Sequence, residues 1–292
     1  MKNFLILTPV YNDWENLNKL LKNINNHAEE NNFEFEILVI NDCSKLNIKI
    51  DFKKTKNIVS LDILNLSKNI GSQRAIAIGL EYLFDNKKNN NLTDIIIIDS
   101  DGQDSPEILK NLIDYNKKFQ TDITVVERTN RNEPFWFQFF YFLHKKVLLF
   151  FTGKHIKFGN FSLIKFIKLQ KIVKKSDLWA AYPAAVIKNI NKIGKIKSER
   201  MSRYSGKTKM NLKKLFFHSS RVFSVFKVKI FFISLIYASL ITLLFKNNLE
   251  YIYFILTIIF TANIYNFYIS FLNKQDFKKK KESIKFKIEK IF

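Results

Sequence analysis

Residues 93–107 constrain this chain more than any other stretch: Thr93-Asp94-Ile95-Ile96-Ile97-Ile98-Asp99-Ser100-Asp101-Gly102-Gln103-Asp104-Ser105-Pro106-Glu107. Four consecutive isoleucines predict a strand buried on both faces, which places it inside a parallel sheet covered by helices. Carboxylates follow at once, at Asp99, Asp101 and Asp104. In open α/β sheets ligands bind at the carboxyl ends of strands, and Asp-x-Asp there offers oxygens to one hard divalent cation carrying phosphates. The same residues also read as a polar turn before a helix, with Asp104 or Ser105 as cap and Pro106 at the first helical position. The two readings are compatible.

The preceding residues repeat the rhythm. A strand at 4–8, closed by Pro9, leads into a helix at 14–29 with Leu17, Leu20, Leu21 and Ile24 on one face. A second strand at 33–40 ends in Asn41-Asp42-Cys43-Ser44, and a third follows at 58–64. Asn69-Ile70-Gly71-Ser72-Gln73-Arg74-Ala75 opens a helix, and a further helix (106–119) and strand (122–127) follow the acidic stretch. Strands alternating with helices predict an α/β fold with right-handed crossovers, and its loops at 8–13, 41–44, 99–104 and 127–131 share one sheet edge.

Beyond residue 132 the character changes. Residues 133–151 carry Phe135, Trp136, Phe137, Phe139, Phe140, Tyr141 and Phe142, then Lys145 and Lys146. They read either as a buried helix or as an amphipathic helix at a membrane interface. Residues 153–210 are mixed, with a turn expected at Gly159-Asn160. A surface helix is expected at 211–226. Residues 230–245 and 251–272 are uncharged and apolar, flanked by Lys227, Lys229 and Lys246, and read as two membrane spans joined by a short turn. The segment 273–292 holds eight Lys against three acidic residues and reads as a basic tail on the cytoplasmic side, which two crossings permit.

Charge and cysteine content narrow the partners. Lys plus Arg total 48 against 26 Asp plus Glu, a formal charge of +22, which favours anionic partners. Much of the excess flanks the apolar spans, where anionic headgroups account for it, so nucleic acid is not expected as a partner. A single cysteine, Cys43, excludes an intramolecular disulfide and fits a reducing compartment. The apolar run near Met1 is too short for a signal peptide.

Taken together, Thr8-Pro9-Val10-Tyr11-Asn12-Asp13, Asn41-Asp42-Cys43-Ser44, Asn69-Ile70-Gly71 and the acidic stretch resemble a family 2 glycosyltransferase of the GT-A fold. Glu127-Arg128-Thr129-Asn130-Arg131, Gly159-Asn160-Phe161 and Arg200-x-x-Arg203-x-x-Gly206-Lys207-Thr208-Lys209 narrow the resemblance to polyprenyl-phosphate glycosyltransferases of the dolichyl-phosphate mannose synthase type. The resemblance implies a GT-A domain at 1–210, an interfacial amphipathic helix at 211–228, two transmembrane helices at 229–272 and a cytoplasmic tail at 273–292. It implies a multi-pass protein of the cytoplasmic membrane with its catalytic domain in the cytoplasm, and leaves homo-oligomers open.

The resemblance also assigns roles. Asp99, Asp101 and Gln103 would hold Mg²⁺ or Mn²⁺, and the nucleotide-sugar donor would contact Pro9, Tyr11, Asp13, Asp42, Asn69, Gly71, Asp99 and Gln103. Asp101, Asp104, Arg128 and Arg131 are the catalytic candidates. Arg200, Arg203 and Lys209 would bind the lipid phosphate or diphosphate, guanidinium offering forked donors that a Lys cannot. A lipid phosphate acceptor is already anionic; a hydroxyl acceptor would need a base such as Asp104. Four positions depart from the pattern: Asn41 and Asn160 stand where Asp is common, and Cys43 and Glu127 where Gly is common. The expected reaction is inverting transfer of one sugar from a UDP- or GDP-sugar to a polyprenyl phosphate. The alternatives are another lipid or lipid-linked saccharide acceptor, or a non-catalytic membrane-anchored relative.

Overall fold

The computed structural model describes residues 3–86, 93–129, 135–205 and 211–292. Its elements divide into two compact units: 1–132, 157–209 and 282–292 form an α/β unit, and 133–156 with 210–281 form a helical unit.

The α/β unit opens with β1 (Asn3–Val10), α1 (Trp14–Asn31), β2 (Glu34–Asn41), β3 (Ile58–Leu66), α2 (Ser72–Asn86), β4 (Ile95–Ile97), α3 (Ile108–Phe119) and β5 (Ile123–Arg128). After α4 (Phe135–Thr152), which belongs to the other unit, come β6 (Phe158–Ile164), α5 (Ser176–Ala180), α6 (Tyr182–Asn189) and β7 (Ile193–Ser198). The helical unit adds α7 (Leu212–Val225), α8 (Lys227–Leu244) and α9 (Leu249–Ser283), and the chain returns to the sheet as β8 (Phe286–Lys290).

The sheet order is β7-β5-β6-β4-β1-β2-β3-β8. Pairing is parallel for β1 with β2 and β4, β2 with β3 and β5 with β7, and antiparallel around β6 and β8. Ile95, Ile96, Ile97 and Ile98 are all buried, as a strand covered on both faces requires. Helix α1 lays Leu17, Leu20, Leu21, Ile24 and Ala28 on the sheet and stops at Asn32, whose left-handed backbone donates to the Ala28 carbonyl.

Several expectations are revised. Pro9 does not close β1 but pairs opposite Ile40 inside it. Residues 5, 7 and 9 bond toward β4, as the Ile98 N–H donating to the Leu7 carbonyl shows, and β4 has ended at Ile97 when the missing N–H of Pro9 would be needed. Gly159 and Asn160 lie within β6 rather than in a turn. The segment 273–292 is not a separate tail: helix continues to Ser283, and β8 then pairs antiparallel with β3 from Asp62–Lys290 to Leu66–Phe286. The bonds between Leu61 and the Ile291–Phe292 end extend that ladder. Strand β8 thereby covers the β3 edge, which would otherwise present unpaired backbone groups.

In the helical unit, the aromatic segment is helical as α4 but not buried. Phe135 is 84% exposed, Phe139, Phe140 and Phe142 are also exposed, and Leu148 is the buried contact. Asn211 caps α7, its side chain accepting the Lys214 N–H at 2.9 Å. Both α8 and α9 contain a stretch long and apolar enough to cross a membrane, and only 11% and 17% of those stretches are buried within the protein. Leu244 at 76% and Phe254 at 67% exposure carry that apolar surface outward.

Candidate active site

The site forms where the carboxyl ends of β1, β2, β4 and β5 meet β6. Because β6 runs antiparallel to β4 with Ser162 opposite Ile97, Asn160 two residues earlier falls beside Asp99. Its amide Nδ2 donates to Asp99 Oδ1 at 2.9 Å. The orientation of that amide is fixed by a chain of donors. The Tyr182 backbone N–H can only donate, so Gln73 Oε1 accepts it at 2.9 Å and Gln73 Nε2 donates to Asn160 Oδ1 at 2.7 Å. Asn160 therefore faces Asp99 with a donor, where an Asp would bring a second negative charge.

Arg128, at the end of β5, donates to Asp104 Oδ1 at 3.1 Å and lies 4.0 Å from Asp99 Oδ2. Asp104 is 5% exposed and does not cap the next helix. That turn is started by Ser105, whose hydroxyl accepts the Glu107 N–H. Gly159 makes room for the arrangement, since a Cβ there would stand 2.9 Å from Arg128 Nη2.

Residues 199–205 complete the cluster. Arg203 donates to Asp101 Oδ2 at 2.8 Å and to Asp13 Oδ2 at 3.0 Å, and Arg200 donates to Gln103 Oε1. The Tyr204 N–H bonds to the Asp101 carbonyl, and its ring lies over Gly102, where any Cβ would collide; φ of +80° demands glycine there as well. The Tyr204 hydroxyl accepts from Asn23 at 2.7 Å.

A neighbouring loop cluster is organised by Asp42. Its two carboxylate oxygens accept the N–H groups of Ile70 and Gly71 at 2.7 and 2.8 Å, while Asn69 Nδ2 donates to its carbonyl. Burial raises the Asp42 pKa, with those two N–H bonds opposing. Asn41 accepts the Ser44 N–H and donates to Asn65 Oδ1 at 2.7 Å, which a carboxylate could not do. Glu127 pairs with Lys195 at 3.2 Å.

The electrostatics record the crowding. The Asp99 side chain keeps 26% of its surface, yet burial, followed by the charges of Asp104 and Asp101, pushes its pKa up to about 6 against the pull of Arg128 and Asn160. Burial works against the Arg128 charge, but Asp104 and Asp99 hold its pKa above the ordinary value. Among the described residues no three His, Cys, Asp or Glu side chains converge as a complete metal cage.

The structure thus brings together Asp13, Asp99, Asp101, Gln103, Asp104, Arg128, Arg200 and Arg203. Asp42, Asn69 and Gly71 form the adjacent loop cluster, and Pro9 is buried in β1 with its carbonyl accepting the Ser100 hydroxyl at 3.0 Å. Tyr11 is half-buried in the loop after β1. Arg131 and Lys209 lie outside the described residues. Gln73 and Tyr204 are site residues that the sequence does not reveal. Each reaches the cluster only across the fold.

Residues 5–190 match the family described as "Glycosyl transferase family 2". The chain belongs to that family. Among curated relatives it is 26% identical over 224 residues to the uncharacterized glycosyltransferase sll0501 of Synechocystis, covering 72% of this chain and 65% of the relative. It is also 26% identical over 135 residues to the uncharacterized glycosyltransferase YkcC of Bacillus subtilis, covering 46% of this chain and 39% of that one. The chain therefore spans less than two thirds of the length of either relative. Glucosyl-3-phosphoglycerate synthase from Mycobacterium tuberculosis, in complex with uridine diphosphate, superposes with a TM-score of 0.54 at 10% identity, over 78% of this chain and 80% of that one. At that identity the likeness is one of fold, and it bears out the GT-A architecture.

Proposed function

We propose that this family 2 glycosyltransferase moves one sugar from a UDP- or GDP-sugar to a polyprenyl phosphate at the cytoplasmic face of the membrane, with inversion. The observation that supports the acceptor class is the state of Asp104, the carboxylate the sequence offers as a base: it is buried, and both its oxygens face the Arg128 guanidinium, at 3.1 and 3.4 Å. Arg203 holds Asp13 and Asp101, Arg128 holds Asp104, and the Asn160 amide holds Asp99. Held in this way, Asp104 presents no open oxygen to an acceptor hydroxyl, and the Asn160 amide is no base at all. An acceptor that brings its own anionic oxygen needs no such base.

In the proposed step, an acceptor phosphate oxygen forms a bond to the anomeric carbon while the bond from that carbon to the donor diphosphate oxygen breaks. The electron pair leaves with the nucleoside diphosphate, and attack opposite the leaving group inverts the centre. Arg200 and Arg203 would transfer their donors from Gln103, Asp101 and Asp13 to phosphate oxygens of the donor or lipid. Asp42, Asn69 and Gly71 shape the wall beside the nucleotide, with Pro9, Tyr11 and Asp13 at the end of β1.

Asp101 and Asp99, with Gln103, fit a hard cation such as Mg²⁺ or Mn²⁺. The donor set is all oxygen, and a cation would favour the charged form of Asp99, which burial first and then the charges of Asp104 and Asp101 disfavour. Fewer than three carboxylates suit a cation that shares its ligands with substrate phosphates. When bound, it would neutralise charge developing on the departing diphosphate. The glucosyl-3-phosphoglycerate synthase of M. tuberculosis, whose fold this chain shares, binds Mn²⁺ and UDP-glucose, which supports the same reading.

Helices α8 and α9 would form the membrane hairpin. Three contacts run in opposite senses along them and the end of α7: Ser234 with Asn263 at 2.8 Å, Lys227 with Ser270 at 2.6 Å, and Ser224 with Asn273 at 3.1 Å. The exposed rings of α4 and the basic α7 would lie at the interface. The test is incubation of the membrane-reconstituted protein with radiolabelled UDP- and GDP-sugars and undecaprenyl phosphate. Label should appear in a lipid released by mild acid. Transfer only to a hydroxyl acceptor would overturn the acceptor assignment.

A further inference from the structure

Along α9, Asn263 and Ser270 pair with Ser234 and Lys227 of α8, whereas Asn266 pairs with neither of its polar atoms. Asn266 is 7% exposed, and neither its amide nitrogen nor its oxygen has a hydrogen-bond partner. It opens into a cavity of about 710 Å³ walled by α4, α7, α8 and α9. Two further unpartnered atoms belong to residues lining the same cavity, Asn263 Oδ1 and His144 Nδ1. Buried amides in native proteins are normally bonded, so an unpartnered donor and acceptor at a cavity wall point to a ligand that supplies both.

We propose that this cavity holds an uncharged lipid of the diacylglycerol class, its free hydroxyl and ester oxygens pairing with Asn266. The apolar walls, including Phe140, Phe223 and Ile259, suit acyl chains. Among the described residues no Asp, Glu, Lys or Arg lines the cavity, so nothing there compensates a phosphate or carboxylate headgroup. Burial, with His218 and Lys145 nearby, pulls the His144 pKa down to about 4, so the imidazole is neutral as well. An isoprenoid chain offers Asn266 no hydrogen bond. Water is a poor alternative in a largely apolar cavity. A second copy of the chain does not fit either, since three turns of a helix about 10 Å across occupy roughly 1,200 Å³.

The site rests on the membrane reading of α8 and α9 but not on the acceptor assignment. The experiment uses the full chain in phosphatidylcholine nanodiscs doped with a diazirine-bearing diacylglycerol, with cross-linked peptides mapped by mass spectrometry. Cross-links are expected at the α7 and α9 peptides around Phe223 and Asn266, falling about tenfold in Asn266→Leu. Ala262→Trp, which fills the cavity and leaves the Asn266 amide in place, should abolish them as well. Circular dichroism confirms that either variant is folded, and sugar transfer to undecaprenyl phosphate should stay within about twofold in Ala262→Trp. Cross-links unchanged in both variants overturn the proposal. So does displacement of the probe by undecaprenyl phosphate or phosphatidylglycerol, or a disulfide between two copies of Asn266→Cys. Failure of the chain to enter nanodiscs overturns the membrane reading together with this site, whereas entry without cross-linking overturns the site alone.

Discussion

Polar side chains are packed away in both units, by different chemistry. At the strand ends of the α/β unit the groups are ionised and balance one another: Arg203 spans Asp13 and Asp101, and Arg128 sits on Asp104. Along the seam where α9 packs on α7 and α8 they are mostly neutral, with amides and hydroxyls in pairs and Lys227 donating to Ser270. Removing one partner from the first kind leaves a charge with poor solvation, and removing one from the second leaves a dipole. The strand-end cluster should therefore be brittle and chemically active, and the seam tolerant.

The sharpest test of that contrast is Asp101→Asn. If Asp101 holds the cation and Arg203 in turn, transfer should fall by about 10²–10³-fold while the far-ultraviolet spectrum is unchanged, and Mn²⁺ should no longer raise Tm in the presence of UDP. Retained metal-dependent stabilisation would remove Asp101 from the site.

Next in size is Arg128→Met, which strands the buried Asp104. A loss of about 3–5 kcal/mol in urea unfolding is expected, with much of it restored in Arg128→Met/Asp104→Leu. If the double variant is no better than the single one, the pair is not what holds this corner.

Asn160→Asp should act through pH. Two carboxylates at hydrogen-bond distance can share one proton but cannot both ionise cheaply, so one pKa rises. A raised carboxylate pKa lowers stability above it and restores stability below it. The variant's Tm deficit against the wild type should thus be larger at pH 8 than at pH 5; a deficit independent of pH would mean that the introduced carboxylate does not face Asp99.

Ending the chain after Ser283 exposes the β3 edge and removes the Phe286–Tyr82 and Phe292–Phe52 ring contacts. A loss of roughly 2 kcal/mol and faster aggregation are expected. The smallest effect belongs to the seam: Asn273→Leu should cost about 0.6–1 kcal/mol in detergent. A cost rivalling that of Arg128→Met would erase the distinction between the two regions.

Much of this is legible in order along the chain. The run Ile95–Ile98, the apolar face of α1 and the uncharged stretches of α8 and α9 each depend on local pattern, which a linear reading can follow. The acidic loop is legible for the same reason, since its carboxylates are two and three residues apart. What escapes the linear reading is pairing over distance. The Asp104 side chain reads as free to cap a helix, whereas Arg128, 24 residues away, holds it. Residues 273–292 read as a tail because their lysines are conspicuous, while the alternation of Phe286 and Ile288 with Lys287 and Glu289 has no meaning without the β3 edge to receive it.

Local pattern along the chain sets the α/β order, the strand-end position of Asp99 and Asp101, and the apolarity of the last two long helices, because each follows from the period of burial along a single element. It takes the folded chain to turn a donor from Gln73 and Asn160 toward Asp99, to stretch Arg203 between Asp13 and Asp101, and to leave Asn266 without a partner. Charge balance and hydrogen-bond satisfaction are properties of groups brought together by folding, and sequence spacing carries no record of which distant donor will meet which acceptor.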